Sequence, residues 1–162
     1  MTLRLRSRAY ILVLTLAAAV MLSACGAEKA TAESVAKEVL TAIYSCTETE
    51  TAAFEAAAES SAENSAALSE YATNKLGEKI TADGATKAVN NRVLGKTALL
   101  WPNTAVEVTD VTLEPAHDQT DTQKSFAYKV SAKSADSENG QVFEGKIVLQ
   151  LNGDAWQVSG IQ

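Results

Sequence analysis

From residue 32 onward the apolar positions fall at helical spacing. Val35, Val39, Leu40 and Ile43 share one face, with Ala32, Ala36 and Ala42 filling in, which predicts an amphipathic helix over 32–45 with one buried stripe. Thr47 and Glu50 stand at the spacing of a capping box, so a second helix should start at 48. Its face runs through Phe54, Ala58, Ser61, Ser65, Leu68, Tyr71 and Ala72. The middle of that face is nearly all Ala and Ser, so the helix is expected to reach about 76, with a break near Asn64 and a stop at Gly77. Thr81 or Asp83 can cap a third helix that carries Ala85, Ala88, Val89, Arg92 and Val93 and ends at Gly95.

Beyond Gly95 the period drops to two. Thr104 to Glu114 alternates, but Val106 and Val108 are out of phase with Val111 and Leu113, so a bulge near Thr109-Asp110 is needed to turn all four inward. Lys124 to Lys133 puts Phe126, Tyr128, Val130 and Ala132 on one face; Phe143, Ile147, Leu149 and Leu151 follow, then Trp156 and Val158. Asn139-Gly140 and Asn152-Gly153 are hairpin signals, because both residue types tolerate positive φ. Helices followed by an antiparallel meander predict an α+β domain, with N-terminal helices packed on a C-terminal four-stranded antiparallel curved sheet.

The segment 1–24 follows a different pattern. Arg4, Arg6 and Arg8 precede an apolar run from Ala9 to Val20, with the length and flanks of a signal peptide rather than of a spanning helix. The run closes on Leu22-Ser23-Ala24-Cys25, which resembles the bacterial lipobox at every position. That resemblance implies cleavage before Cys25, a diacylglycerol thioether on its sulfur and acylation of the new amino terminus, for example with palmitate. Leu22, Ser23 and Ala24 would be read by the signal peptidase. Several acyl chains anchor stably where one does not. The expected organisation is a signal peptide over 1–24, a short tether over 25–31 and a single domain over 32–162.

Setting the signal aside changes the charge. The whole chain is formally −6, but the segment 1–24 holds three arginines and no acid, so the part from Cys25 onward carries −9. An acidic body of that size is repelled by nucleic-acid phosphate and by anionic head groups, which excludes charge-driven binding to either. With Cys25 lipidated, Cys46 has no partner for a disulfide, and it is expected as a buried thiol on the apolar side of the first helix.

Candidate chemistry is sparse. His117 is the single histidine, in the polar loop Pro115-Ala116-His117-Asp118-Gln119, and no metal-ligand set accompanies it. No metal and no cofactor are expected. Glu55, Glu59 and Glu63 repeat at i, i+4 and i+8 and could form an acidic face for a basic partner. Trp101, at the end of Ala98-Leu99-Leu100, is expected either to close one end of the core or to join Phe126, Tyr128 and Trp156 in lining a pocket for a small apolar ligand.

The order of helices then sheet, closed by Gly153-Asp154-Ala155-Trp156-Gln157-Val158, resembles the cone-shaped nuclear transport factor 2-like superfamily (cystatin-like cone). The resemblance implies a curved sheet wrapped on helices around a pocket, in a family that holds both enzymes and binding proteins. Its enzymes use an inward carboxylate beside a polarising tyrosine, for which Asp110 or Glu144 with Tyr128 are the candidates here. The expectation is a lipid-anchored protein on the extracytoplasmic face of a cell membrane. Its domain would bind an envelope protein or a small ligand, and the alternative is an enzyme of the same fold.

Overall fold

A computed structural model describes residues 30–59, 64–117, 119–137 and 139–162. The signal segment, the lipobox Leu22-Ser23-Ala24-Cys25, Ser61, Glu63 and Asp118 lie outside the described residues. Helices α1 (Ala32–Tyr44), α2 (Glu48–Glu59), α3 (Asn64–Leu76), α4 (Ala82–Asn90) and α5 (Lys96–Leu100), with a 3-10 turn over Gly77–Lys79, precede strands β1 (Val106–Pro115), β2 (Gln123–Ser134), β3 (Gly140–Asn152) and β4 (Ala155–Ile161). The strands form one open antiparallel sheet in the order β1-β2-β3-β4, and the helices pack against it in an α+β arrangement.

α1 organises the core. The Thr31 hydroxyl caps it by accepting from the Ser34 amide at 3.1 Å. Its apolar stripe, Val35, Ala36, Val39, Leu40, Ile43 and Tyr44, is buried, and the helix packs against all four strands. From the sheet come Phe126, Tyr128, Val130, Ile147, Leu149, Val158 and Ile161, all buried in the same cluster. The bulge in β1 is present between Val108 and Asp110, and it turns Val106, Val108, Val111 and Leu113 toward the apolar core. A second irregularity, between Val148 and Leu149, was not signalled by the sequence; it lets both Val158 and Ile161 of β4 face inward.

Both sheet edges are partly covered, which limits unwanted strand addition. On the β4 side the Thr81 amide donates to the Val158 carbonyl at 2.9 Å, beside a parallel bridge from Ile80. On the β1 side Cys46 and Val106 exchange two backbone hydrogen bonds, at 2.8 and 3.1 Å. Cys46 is buried, yet it lies past the end of α1 in this bridge rather than on a helix face.

Other boundaries differ for local reasons. Thr81, not Asp83, caps α4, accepting from the Gly84 amide at 2.9 Å. α4 ends at Asn90, because Arg92 takes φ +53° and breaks the helical path; Val93 is buried beyond it. Asn139-Gly140 does not form a two-residue turn: Gly140 already pairs with Lys133, so the connection from β2 to β3 is longer. In the last hairpin Asn152 pairs with Ala155, so the loop is Gly153-Asp154, with Gly153 supplying φ +62°. α5 is an additional helix. It reverses the expected burial, since Thr97 and Ala98 are buried while Leu99 and Leu100 face out.

Candidate functional site

The inward face of the sheet centres on a polar pair. The Tyr128 hydroxyl donates to the carbonyl of Gln162 at 3.2 Å, and the Tyr44 hydroxyl lies 2.8 Å from it, placed to donate to Tyr128. Register puts Tyr128 opposite Gly145. A Cβ at 145 would strike the Gln162 carbonyl oxygen and come within 2.6 Å of the Tyr128 hydroxyl, so only glycine leaves room for the arrangement. The Tyr44 ring stacks on Phe143 at 4.8 Å, and Trp101 meets Phe143 edge-on at 6.5 Å.

Burial raises the Tyr44 hydroxyl far above its ordinary value, and the bond to Tyr128 adds to the effect. Burial also raises Tyr128, opposed by the bond from Tyr44. Both hydroxyls therefore stay protonated and serve as hydrogen-bonding groups within a filled interior.

The candidate carboxylates lie elsewhere. Asp110 is exposed and accepts from the Thr112 hydroxyl at 3.0 Å. Glu144 projects from the outer face and pairs with Lys129 at 3.0 Å, which raises the lysine above its usual value. Each is separated from the Tyr128 hydroxyl by the sheet itself, because neighbouring strand residues point to opposite faces.

The four aromatic pocket residues are dispersed. Phe126 and Tyr128 are buried in the main core, while Trp101 packs with Cys46, Val106 and Ala132 at one end. Trp156 is half-buried and borders an open groove of about 600 Å³ with Val35, Leu76 and Lys79. A more polar depression of about 490 Å³ is lined by Lys87, Asn91, Lys146, Gln150 and Ser159. Of the acidic stripe, Glu55 is half-buried on α2, Glu59 is the last residue of α2, and Glu63 lies outside the described residues. His117 is exposed, and among the described residues no group of three metal-binding side chains converges.

One polar cluster escaped the sequence reading. The capping box forms as expected: Glu50 Oε2 accepts from the Thr47 amide at 2.8 Å, and the Glu50 amide donates to the Thr47 hydroxyl at 3.2 Å. The other carboxylate oxygen pairs with Lys75 at 2.7 Å, and Lys75 also donates to the Ser45 carbonyl at 3.0 Å. Burial alone would raise the Glu50 carboxyl, but Lys75 and Thr47 outweigh it and hold the group below its usual range. Tyr71 donates to the Glu50 carbonyl at 3.3 Å, and its own hydroxyl is pushed up to about 12 by burial and by the nearby carboxylate. The cluster joins the end of α1 to α2 and α3, with every buried side-chain polar atom among the described residues satisfied. No local pattern signals the pairing of Glu50 with Lys75, because the two stand on different helices.

Among the described residues no helix is long and apolar enough to cross a membrane. No family model matches the chain, nor does any curated protein or solved structure.

Proposed function

We propose that the chain is a bacterial lipoprotein, anchored by acyl chains on Cys25 at the extracytoplasmic face of a membrane, whose domain binds an envelope partner and performs no catalysis. The observation that carries the anchor is Leu22-Ser23-Ala24-Cys25 placed directly after a cationic and apolar leader. The folded domain begins only a few residues later, with Thr31 capping α1, so the domain works within about 25 Å of the lipid.

The binding role is supported by the filled inward face. Tyr44, Tyr128, Phe143 and α1 occupy the space that an internal ligand would need, and Asp110 and Glu144 lie outside it. That distribution favours an external partner over an enclosed small apolar ligand or a carboxylate-tyrosine enzyme. The likeness to the nuclear transport factor 2-like superfamily is part of this proposal and rests on element order and the closing Gly153 to Val158 strand.

Processing tests the anchor. The precursor should accumulate under globomycin, and Cys25→Ser should abolish lipidation and release the protein from membranes. Unchanged processing and membrane association in both cases would discard the reading.

A further inference from the structure

Among the described residues, the surface of this acidic domain carries a patch of opposite character. Leu99 and Leu100 are 73% and 48% exposed, side by side on the five-residue helix α5. Trp101 follows, held edge-on against Phe143, and the exposed Pro102 and Asn103 (φ +55°) turn the chain back toward β1. Two large apolar side chains presented outward side by side, next to a tryptophan packed on Phe143, form a small continuous apolar surface.

The chain segment that carries the patch is free of acid, although the acidic helix α2 packs against its inner side. Between Asp83 and Glu107 the sequence has no acid, while Arg92 and Lys96 fall within the same stretch; Lys87 is engaged by Asp83 and by the Ser159 carbonyl. Arg92 is exposed and Lys96 half-buried, and neither forms an ion pair among the described residues. Lys96 stands one helical turn before Leu99 and Leu100, and leucine, tryptophan and basic side chains together are the composition of an interfacial membrane contact.

We propose that the α5 tip docks on the phospholipid surface, with Leu99 and Leu100 entering the boundary between head groups and acyl chains and with Arg92 and Lys96 facing lipid phosphate. This deepens the lipoprotein reading and rests on it for the local concentration of the domain at the bilayer. The −9 body opposes the contact only in part, because charges beyond about 10 Å are screened and the insertion is driven by apolar burial rather than by charge.

Area favours lipid over a second copy of the chain. The two leucines expose about 200 Å² of apolar surface, whereas a stable protein interface buries about 800 Å² per partner. Reach is sufficient as well. α5 lies against Ile43 and Cys46 at the C-terminal end of α1, and α1 is 13 residues or about 20 Å long. The seven-residue step from Cys25 to Ala32 extends to about 24 Å, so α1 can lie along the bilayer with its far end in contact.

The chain has two tryptophans, Trp101 and Trp156. Full-length protein carrying Trp156→Phe, processed in cells and reconstituted in phosphatidylethanolamine-phosphatidylglycerol vesicles, isolates Trp101 as the reporter. Brominated phospholipid should reduce its emission about two-fold, and Leu99→Ser with Leu100→Ser should restore it while the protein still floats with the vesicles. Unquenched emission from floating protein would overturn the proposal, as would quenching untouched by the two serines. So would a doubling of mass that the serines abolish, since the patch would then serve a second copy. Flotation reports the anchor separately: if the protein fails to float, titration of brominated vesicles decides, with saturable quenching supporting docking and none overturning it. Should Trp156→Phe fail to fold, vesicle-dependent slowing of amide exchange over residues 96–103 in the unsubstituted protein supports docking, and its absence overturns it.

Discussion

Replacing Glu50 by Gln removes one charge from the junction of α1, α2 and α3. The lysine it leaves is nearly enclosed, with the Lys75 side chain 9% exposed and Glu50 itself 39%. Loss of a hydrogen bond to a charged group costs about 1.5–3 kcal/mol. Breaking a fully buried pair costs about 3–5 kcal/mol, and the exposure of Glu50 reduces that figure. The glutamine can still accept from the Thr47 amide, so the cap is largely kept. The expected loss is about 2 kcal/mol, or about 8 °C in Tm for a domain of this size. Adding Lys75→Met should recover much of it, because both charges are then gone; the coupling in that cycle should be about 1.5 kcal/mol.

The same substitution predicts a pH dependence. The folded state holds the Glu50 carboxyl below its usual range, so its contribution is full above the unfolded value of about 4.3 and disappears as pH falls through the folded value. Urea titrations followed by circular dichroism at pH 7 and pH 3 should therefore show a gap between the two proteins that narrows in acid. A variant within about 0.5 kcal/mol of the parent at pH 7, or a gap equal at both pH values, would refute the reasoning.

Three further substitutions probe the interior. Gly145→Ala should cost about 3 kcal/mol in the same titration, because its Cβ meets the Gln162 carbonyl, which is backbone and cannot swing aside, and crowds the Tyr128 hydroxyl. Tyr44→Phe should cost about 1 kcal/mol, since Tyr128 still donates to Gln162; Tyr128→Phe should cost more, about 2 kcal/mol, since it strands the buried Tyr44 hydroxyl. The reverse order would mean that the direction of the hydrogen-bond chain is wrong.

What could be read in the sequence follows the length over which a pattern repeats. α1 shows its stripe for three turns, and β2 alternates through Phe126, Tyr128, Val130 and Ala132, so both were legible, as was the β1 bulge from the phase change at Val108 and Val111. The capping box was legible because its two partners are three residues apart. Lys75 and Gly145 were not, because each owes its role to a neighbour brought by the fold: Glu50 and Ser45 for the lysine, Tyr128 and Gln162 for the glycine. The irregularity in β3 and β4 was hidden for the same reason, since Val158 and Ile161 share a face only once the register shifts.

The Leu99-Leu100 pair shows where hydrophobicity alone misdirects. An apolar run ending in Trp101 reads as a lid on the core, yet a five-residue helix makes little more than one turn, so the segments on either side set its orientation. On one side Gly95 takes φ +78° with its Cα against the Phe54 ring, where any Cβ would clash; on the other Trp101 is fixed on Phe143. Between these two constraints Thr97 and Ala98 are turned inward, and their small side chains suit the close approach of α2. The leucines are left outside by geometry imposed from their flanks. Their exposure is thus fixed by packed residues rather than by a loose loop, and a surface held out in this way is already shaped for its contact before binding, at little further cost in ordering.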